Sequence, residues 1–301
     1  MRTRSNALIA VTVAAVAVAA ISLTMRVQGP ASAQVTAPGR FPPHTPVRTA
    51  DGKPDLNGIW QSLTTANWDL EAHGAGAGAY PQLLGAWGAQ PGGQSIVVGG
   101  TIPYRPEALA RKKANFANRT TASVPGDGVD PPNGDPELKC WMTGVPRMMY
   151  MPYPLQIVQT PDAVLMTQEF NGNARIVRMN WQEETPVDNT FFMGWNRGRW
   201  EGDTLVIDVT GLSDKNWLDR AGNFLSDTAH VVERLTLVSP YHIAYEATIE
   251  DPRVFSRPWT IRFPLYRRME SDVQLMEFKC QPFVEELVYG RFTKKPTTAS
   301  R

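Results

Sequence analysis

The residue whose type least suits its place in this chain is Glu233. In the stretch Ala229–Val238, alternation puts Val231, Leu235 and Leu237 on one strand face, and Glu233 falls on that same face. A carboxylate among apolar neighbours must either be paired or take up a proton at unusually high pH, because loss of water disfavours the charged form. The first outcome is an ion pair with an arginine such as Arg199 or Arg262; the second is a general acid or base. His230, three residues earlier, is the natural companion for proton transfer, yet a regular strand places it on the opposite face and only a bulge would bring the two to one mouth. Asp219 and Arg220 follow Trp217 in a loop between strands, where a carboxylate, a guanidinium and an indole can orient a polar ligand or stabilise developing negative charge. The alternative is a solvated local pair. The candidate catalytic set, if the protein is an enzyme, is therefore Glu233, His230, Asp219 and Arg220. The candidate ligand contacts are Trp217, Tyr245, Arg199 and Arg147, the last beside Met148, Met149 and Met151, which either offer a polarisable pocket lip or fill core gaps.

The elements that must position these groups read as strands. Leu155–Gln159, Val164–Phe170, Arg175–Trp181, Trp200–Val209, Ala229–Val238, Ile243–Ile249, Trp259–Tyr266 and Val273–Cys280 follow at short spacing, divided by turn signals. Asn171-Gly172 is the strongest short hairpin signal, and Gly202 between Glu201 and Asp203 marks another strand–turn–strand. Ile243, Tyr245, Ala247 and Ile249 share one face; Trp259, Ile261, Phe263 and Leu265 share another; Asp208 has outward parity. Such a run predicts an all-β fold, an antiparallel meander closed into a barrel of about 8–10 strands. One helix interrupts it: Pro106–Phe116, with Pro at a first helical position, Glu107 beside it, the bases later, and Leu109 and Phe116 on one face. Trp68–Gly100 is glycine-rich and poor in charge, and reads as a mobile loop or a flap over the barrel.

Arg2 and Arg4, the uncharged run Ala7–Leu23 and the small-residue site Ala31-Ser32-Ala33 have the layout of a secretory signal peptide. The expected organisation is a leader over residues 1–33, an extended lead-in over 34–55, one barrel domain over 56–295 with a loop-and-helix insertion over 68–136, and a tail over 296–301. The protein is then periplasmic or secreted, or membrane-anchored if the leader is not cleaved, with no span after it. Export permits a disulfide between the two cysteines, Cys140 and Cys280, although spacing alone leaves two separate buried thiols equally open.

Thirty basic residues against 29 acidic ones leave no electrostatic footprint for nucleic acid. The four histidines, His44, His73, His230 and His242, lack metal-site spacing, and no serine-hydrolase, nucleotide-loop, nicotinamide, flavin or haem signature occurs, so no metal or cofactor is expected. The aromatic supply suits a small apolar or aromatic partner. Sequence leaves the oligomeric state open.

Gly58-Ile59-Trp60 resembles the first-strand signature of lipocalins and other calycins, in which the Trp plugs the closed end of the barrel, often with an Arg stacked on it. A longer ordered set covers nearly all of the chain after the leader: Asp51-Gly52-Lys53-Pro54-Asp55-Leu56-x-Gly58-x-Trp60, Lys139-Cys140 with Gly144-Val145-Pro146-Arg147, Met151-Pro152-Tyr153-Pro154-Leu155-Gln156-Ile157, Gly198–Val206 and Trp217-Leu218-Asp219-Arg220. It resembles a large family of exported bacterial proteins without a described activity. The resemblance implies export and one β-rich domain, and it supplies no reaction. Two of that family's histidines are replaced here, by the Gly194-Trp195-Asn196 stretch and by Gln281 after Cys280.

Overall fold

The computed structural model describes residues 44–78, 89–120, 134–183 and 189–282, with 42 and 284 in addition. All belong to one compact unit, Gln34–Arg301. The expected leader over 1–33 and the tail over 296–301 lie outside the described residues.

The hairpin signals act as expected. Asn171 and Gly172 both take positive φ, 50° and 61°, and turn β5 (Ala163–Gln168) back into β6 (Ala174–Met179). Gly202, at φ 59°, does the same between β7 (Trp195–Glu201) and β8 (Thr204–Thr210). Beyond it β9 (His230–Ser239), β10 (His242–Glu250) and β11 (Trp259–Arg267) continue the meander. β11 returns to β1 (Gly58–Ser62), and β1 pairs with β4 (Leu155–Gln159), which pairs with β5, so the ring closes. A two-stranded ribbon, β2 (Gly76–Ala77) with β3 (Ala89–Gln90), stands apart from it.

The fold is thus the expected all-β closed barrel, with one departure from a pure meander. Directions cannot alternate all the way round a ring of nine strands. One junction must be parallel, and it is β6 with β7. A parallel neighbour needs a long crossover, and the interval between Met179 and Trp195 is long enough for one. The seam is also the thinnest joint of the wall: only Arg178↔Arg197 and Met179↔Gly198 pair across it.

Alternation inside the barrel follows the sequence pattern. Val231, Leu235, Ile243, Ala247, Ile249, Ile261 and Leu265 are all fully buried, and full burial of such an aliphatic side chain contributes about 1.5–3 kcal/mol. Trp60 is fully buried too; its Nε1 donates to the Leu56 carbonyl at 2.9 Å and the Arg267 guanidinium lies 4.2 Å from its ring centroid. Gly58 is required beside this pair, because it sits at φ 136° and a Cβ there would stand 2.4 Å from Arg267 Nη1.

Three expectations are corrected. Helix α1 (Pro106–Ala117) forms, but Leu109 and Phe116 are exposed; Ala108 is its buried residue, while Asn115 Nδ2 donates to the Gly222 carbonyl at 3.1 Å and Arg111 lies over Phe224. A short helix on a loop needs only a small contact stripe, so spacing of large apolar residues misidentified the inner face. Val273–Cys280 is not a strand. It is an extended strap fastened by side chains: Phe278 against Tyr153 and Phe170, and Cys280 in a disulfide with Cys140, Cα–Cα 5.5 Å. Finally, part of the glycine-rich segment is neither loop nor flap. Where β1 ends, residues 96–98 take its lane along β11, with Val98 N donating to Thr260 and Arg262 N donating to Ile96. Residues 79–88 of that segment lie outside the described residues.

Candidate functional site

Above its two paired residues the parallel seam lacks backbone rungs, and side chains close it instead. Asn196 faces inward, its Nδ2 donating to the carbonyls of Met193 (2.9 Å) and Gly194 (3.0 Å), while its Oδ1 accepts from Arg175 Nη1 at 3.2 Å. Arg175 also faces inward and is wholly buried. Its two terminal nitrogens clamp Glu233, Nη1 to Oε2 at 2.5 Å and Nη2 to Oε1 at 3.0 Å, and Nη2 lies 3.2 Å from Met166 Sδ. The Tyr245 hydroxyl donates to Glu233 Oε1 at 2.6 Å. Burial and then the neighbouring Glu233 charge push the Tyr245 hydroxyl well above its usual range, so it stays a donor. Burial would lower the Arg175 guanidinium, but the charge and hydrogen bonds of Glu233 raise it. Glu233 therefore occupies the apolar face as half of a buried ion pair, with Arg175 as its partner in place of Arg199 or Arg262.

Outside this seam lies a pocket of about 730 Å³, within the range of small-molecule sites. Its walls are apolar: Leu165 and Ile176 from the outer faces of β5 and β6, Phe191 and Phe192 from the crossover, Trp195 from β7 and Met142. Its floor includes Arg175 and Asn196, and Asp214 and Lys215 sit at its edge. Leu165, Ile176 and Phe191 are 38%, 51% and 43% exposed. Large apolar side chains concentrated at that exposure around one concavity mark a binding surface better than scattered ones do. Trp195 stacks between Trp181 (centroids 5.0 Å, planes 30° apart) and Phe191 (6.3 Å, 28°). None of this was singled out from sequence. The available signal was the unbroken apolar run Phe191-Phe192-Met193-Gly194-Trp195 leading into a strand, too short to tell a strand from a pocket wall.

The expected catalytic groups do not gather there. Asp219 is fully buried and caps its own loop: Oδ1 accepts from the amides of Ala221 and Asn223, and Oδ2 from the Leu70 amide and Asn223 Nδ2. Burial pushes its carboxyl up to about 7 against the pull of those donors. Arg220 turns away to Glu137, Nη2 to Oε1 at 2.8 Å, and lies over the Trp68 ring. Of the expected ligand contacts, Trp217, Tyr245, Arg199 and Arg147, none lines the pocket. Trp217 is buried and bridged through the backbone to Phe224, Tyr245 is spent on Glu233, and Arg199 pairs with Glu201 on the surface. Arg147 is not at a lip; it is wholly buried, bonded to Asp135, Glu137 and Asn67. Among the described residues no group of three or more His, Cys, Asp or Glu side chains is placed to hold a metal ion, and no helix is long and apolar enough to cross a membrane.

His230 stays on the outer face, as regular alternation requires, and pairs with Asp208 at 2.9 Å, which also accepts from Arg197 Nη2 at 2.6 Å. The hydrogen bond from His230, helped by Arg197, holds Asp208 at about 2 against the effect of burial, and the same bond raises His230. The histidine's share of stability is thus present below about pH 6.5 and lost as pH rises through its raised value. The aspartate's share is present above about pH 4 and lost as pH falls through its lowered one. We expect the melting-temperature gap between the wild type and Asp208→Asn to be widest near about pH 5.5 and narrower at about pH 9. A gap constant over that range would show that the imidazole does not titrate with the pair.

Fold and site together define a closed β-barrel with an apolar pocket set in its wall at a parallel seam. Comparison of the chain with protein-family models and with curated proteins gives no match.

Proposed function

We propose that this is an exported β-barrel protein that binds a small, largely apolar or aromatic molecule, and that its site is the seam pocket. The observation that carries the reading is the concavity of about 730 Å³ walled by Leu165, Ile176, Phe191, Phe192 and Trp195. Export rests on the signal-peptide layout of residues 1–33, and the ordered elements from Asp51 to Arg220 support placing the chain with the exported bacterial proteins that it resembles. The alternative, a cofactor-independent lyase, isomerase or hydratase using Glu233 or His230 as base, has less support. Both oxygens of Glu233 are already bonded to Arg175 and Tyr245, and His230 is paired on the outer face.

The test is titration with N-phenyl-1-naphthylamine, a neutral probe that fluoresces on entering an apolar site. The wild type is expected to bind it and to be stabilised by about 2.7 kcal/mol at a hundredfold excess over Kd. Ile176→Asp places a charge on a half-exposed wall residue that the core does not need, and should weaken binding at least about tenfold, an apolar-burial loss of roughly 1.5–3 kcal/mol. No binding by the wild type, or equal binding by Ile176→Asp, rejects the pocket as the site.

A further inference from the structure

The pocket wall carries two N–H groups that donate to nothing. Arg175 Nε and Trp195 Nε1 are both shielded from solvent and have no acceptor among the described residues, and both residues line the pocket. A buried donor left unpaired is unfavourable by about 1–3 kcal/mol, and native structures rarely tolerate one without a reason. Two at one site, with an apolar cavity beside them, point to an acceptor that arrives with an occupant. The other polar groups of the floor are already engaged. Asn196 uses its Nδ2 on two carbonyls and its Oδ1 on Arg175, and the remaining Arg175 nitrogens are held by Glu233.

Charge narrows the acceptor. Glu233 neutralises Arg175 inside the wall, and the lining carries one acid, Asp214, beside one base, Lys215, so an anion entering the pocket would lose its water without finding a net positive charge. Shape narrows the body. The rings of Trp181, Trp195 and Phe191 form a near-parallel ladder ending at the part-exposed Phe191, which another flat ring extends by offset stacking. Resting on the binding function proposed above, we infer that the occupant is a flat, uncharged aromatic or polycyclic molecule bearing a carbonyl group, which accepts from Trp195 Nε1 while its ring system lies against Leu165, Ile176 and Phe191.

Three matched probes test it: naphthalene, 2-acetylnaphthalene and 2-naphthoate, titrated by tryptophan fluorescence and calorimetry against wild type, Trp195→Phe and Ile176→Asp. The acetyl group makes naphthalene no more apolar, so a ketone advantage that depends on the Trp195 N–H is assigned to its oxygen. We expect 2-acetylnaphthalene to bind the wild type about tenfold tighter than naphthalene, the worth of one good hydrogen bond to a buried donor, and 2-naphthoate to bind more weakly than the ketone. Trp195→Phe keeps a stacking ring and removes one N–H, so it should shrink the ketone's advantage over naphthalene, whatever the smaller ring does to the affinity of both. Equal affinity of ketone and hydrocarbon for the wild type, an unchanged advantage in Trp195→Phe, or tighter binding of the carboxylate overturns the carbonyl assignment while leaving an apolar site in place. If no probe binds, or if Ile176→Asp changes none of the affinities, it is the binding function itself that fails.

Discussion

Glu233→Gln is expected to destabilise the protein by about 3–5 kcal/mol, although it changes one atom and no volume. The reason is what it strands. Arg175 is wholly buried, and among the described residues its charge is balanced by Glu233, at 2.5 Å and 3.0 Å. Glutamine leaves an uncompensated guanidinium beside Met149 and Met166, and it turns one former acceptor into a donor facing Arg175 or the Tyr245 hydroxyl. Urea unfolding of the single variant measures the loss. A triple variant, Arg175→Met with Glu233→Leu and Tyr245→Phe, should recover most of it, since a buried pair replaced by apolar side chains of similar volume is often neutral or better. The same pair of measurements separates structure from catalysis. A Glu233→Gln protein within about 1 kcal/mol of wild type would show that the carboxylate is not needed as an ionic partner and would return it to candidacy as a proton acceptor.

That Glu233 lies inside was legible from sequence, and its partner was not, for one reason. Strand alternation is local, so Val231, Glu233 and Leu235 could be assigned a face from a few residues. Which arginine meets the carboxylate depends on how the ring closes, and Arg175 lies 58 residues away on a strand that β9 does not pair with. The seam was hidden for the same cause. Nothing in β6 or β7 alone says that their junction is parallel; it follows from an odd number of strands in a closed ring. The pocket depends on the seam, so it leaves no local mark either, whereas residues 217–233 carry the density of polar side chains that a local pattern favours. There Asp219 and Arg220 turn out to bond loops to one another. Trp60 was easier to read: Gly-x-Trp carries its own constraint, a glycine that lets an arginine lie against the indole. Val273–Cys280 shows the converse error, since alternation can mark a segment that lies on the barrel as well as one that joins its ladder.

The same logic makes Arg147→Met the second variant of large effect. Arg147 ties its own turn to two other parts of the chain: the 135–137 segment, through Asp135 at 2.7 Å and 3.0 Å and Glu137 at 2.7 Å, and Asn67, through Nε at 2.8 Å. Burial opposes its charge, but Asp135 and Glu137 raise the guanidinium beyond any pH at which it could release its proton. Burial would likewise raise Glu137, yet Arg220 and Arg147 bring it down to about 2. Methionine matches the stem and removes the head, leaving the nearly inaccessible Asp135 without a counter-charge and Glu137 with one arginine, so we expect a loss of about 3–5 kcal/mol. Arg220→Met should cost less, about 1.5–3 kcal/mol, because Glu137 keeps Arg147 and Asn67 and because Arg220 is itself partly exposed. Adding Asp135→Asn and Glu137→Gln to Arg147→Met should restore stability, whereas adding them to the wild type should lower it, a change of sign that only a coupled network produces. Equal losses for the two arginine variants, or additivity of the acid substitutions with Arg147→Met, would mean that Arg147 acts by packing rather than as the charge at the centre of this cluster.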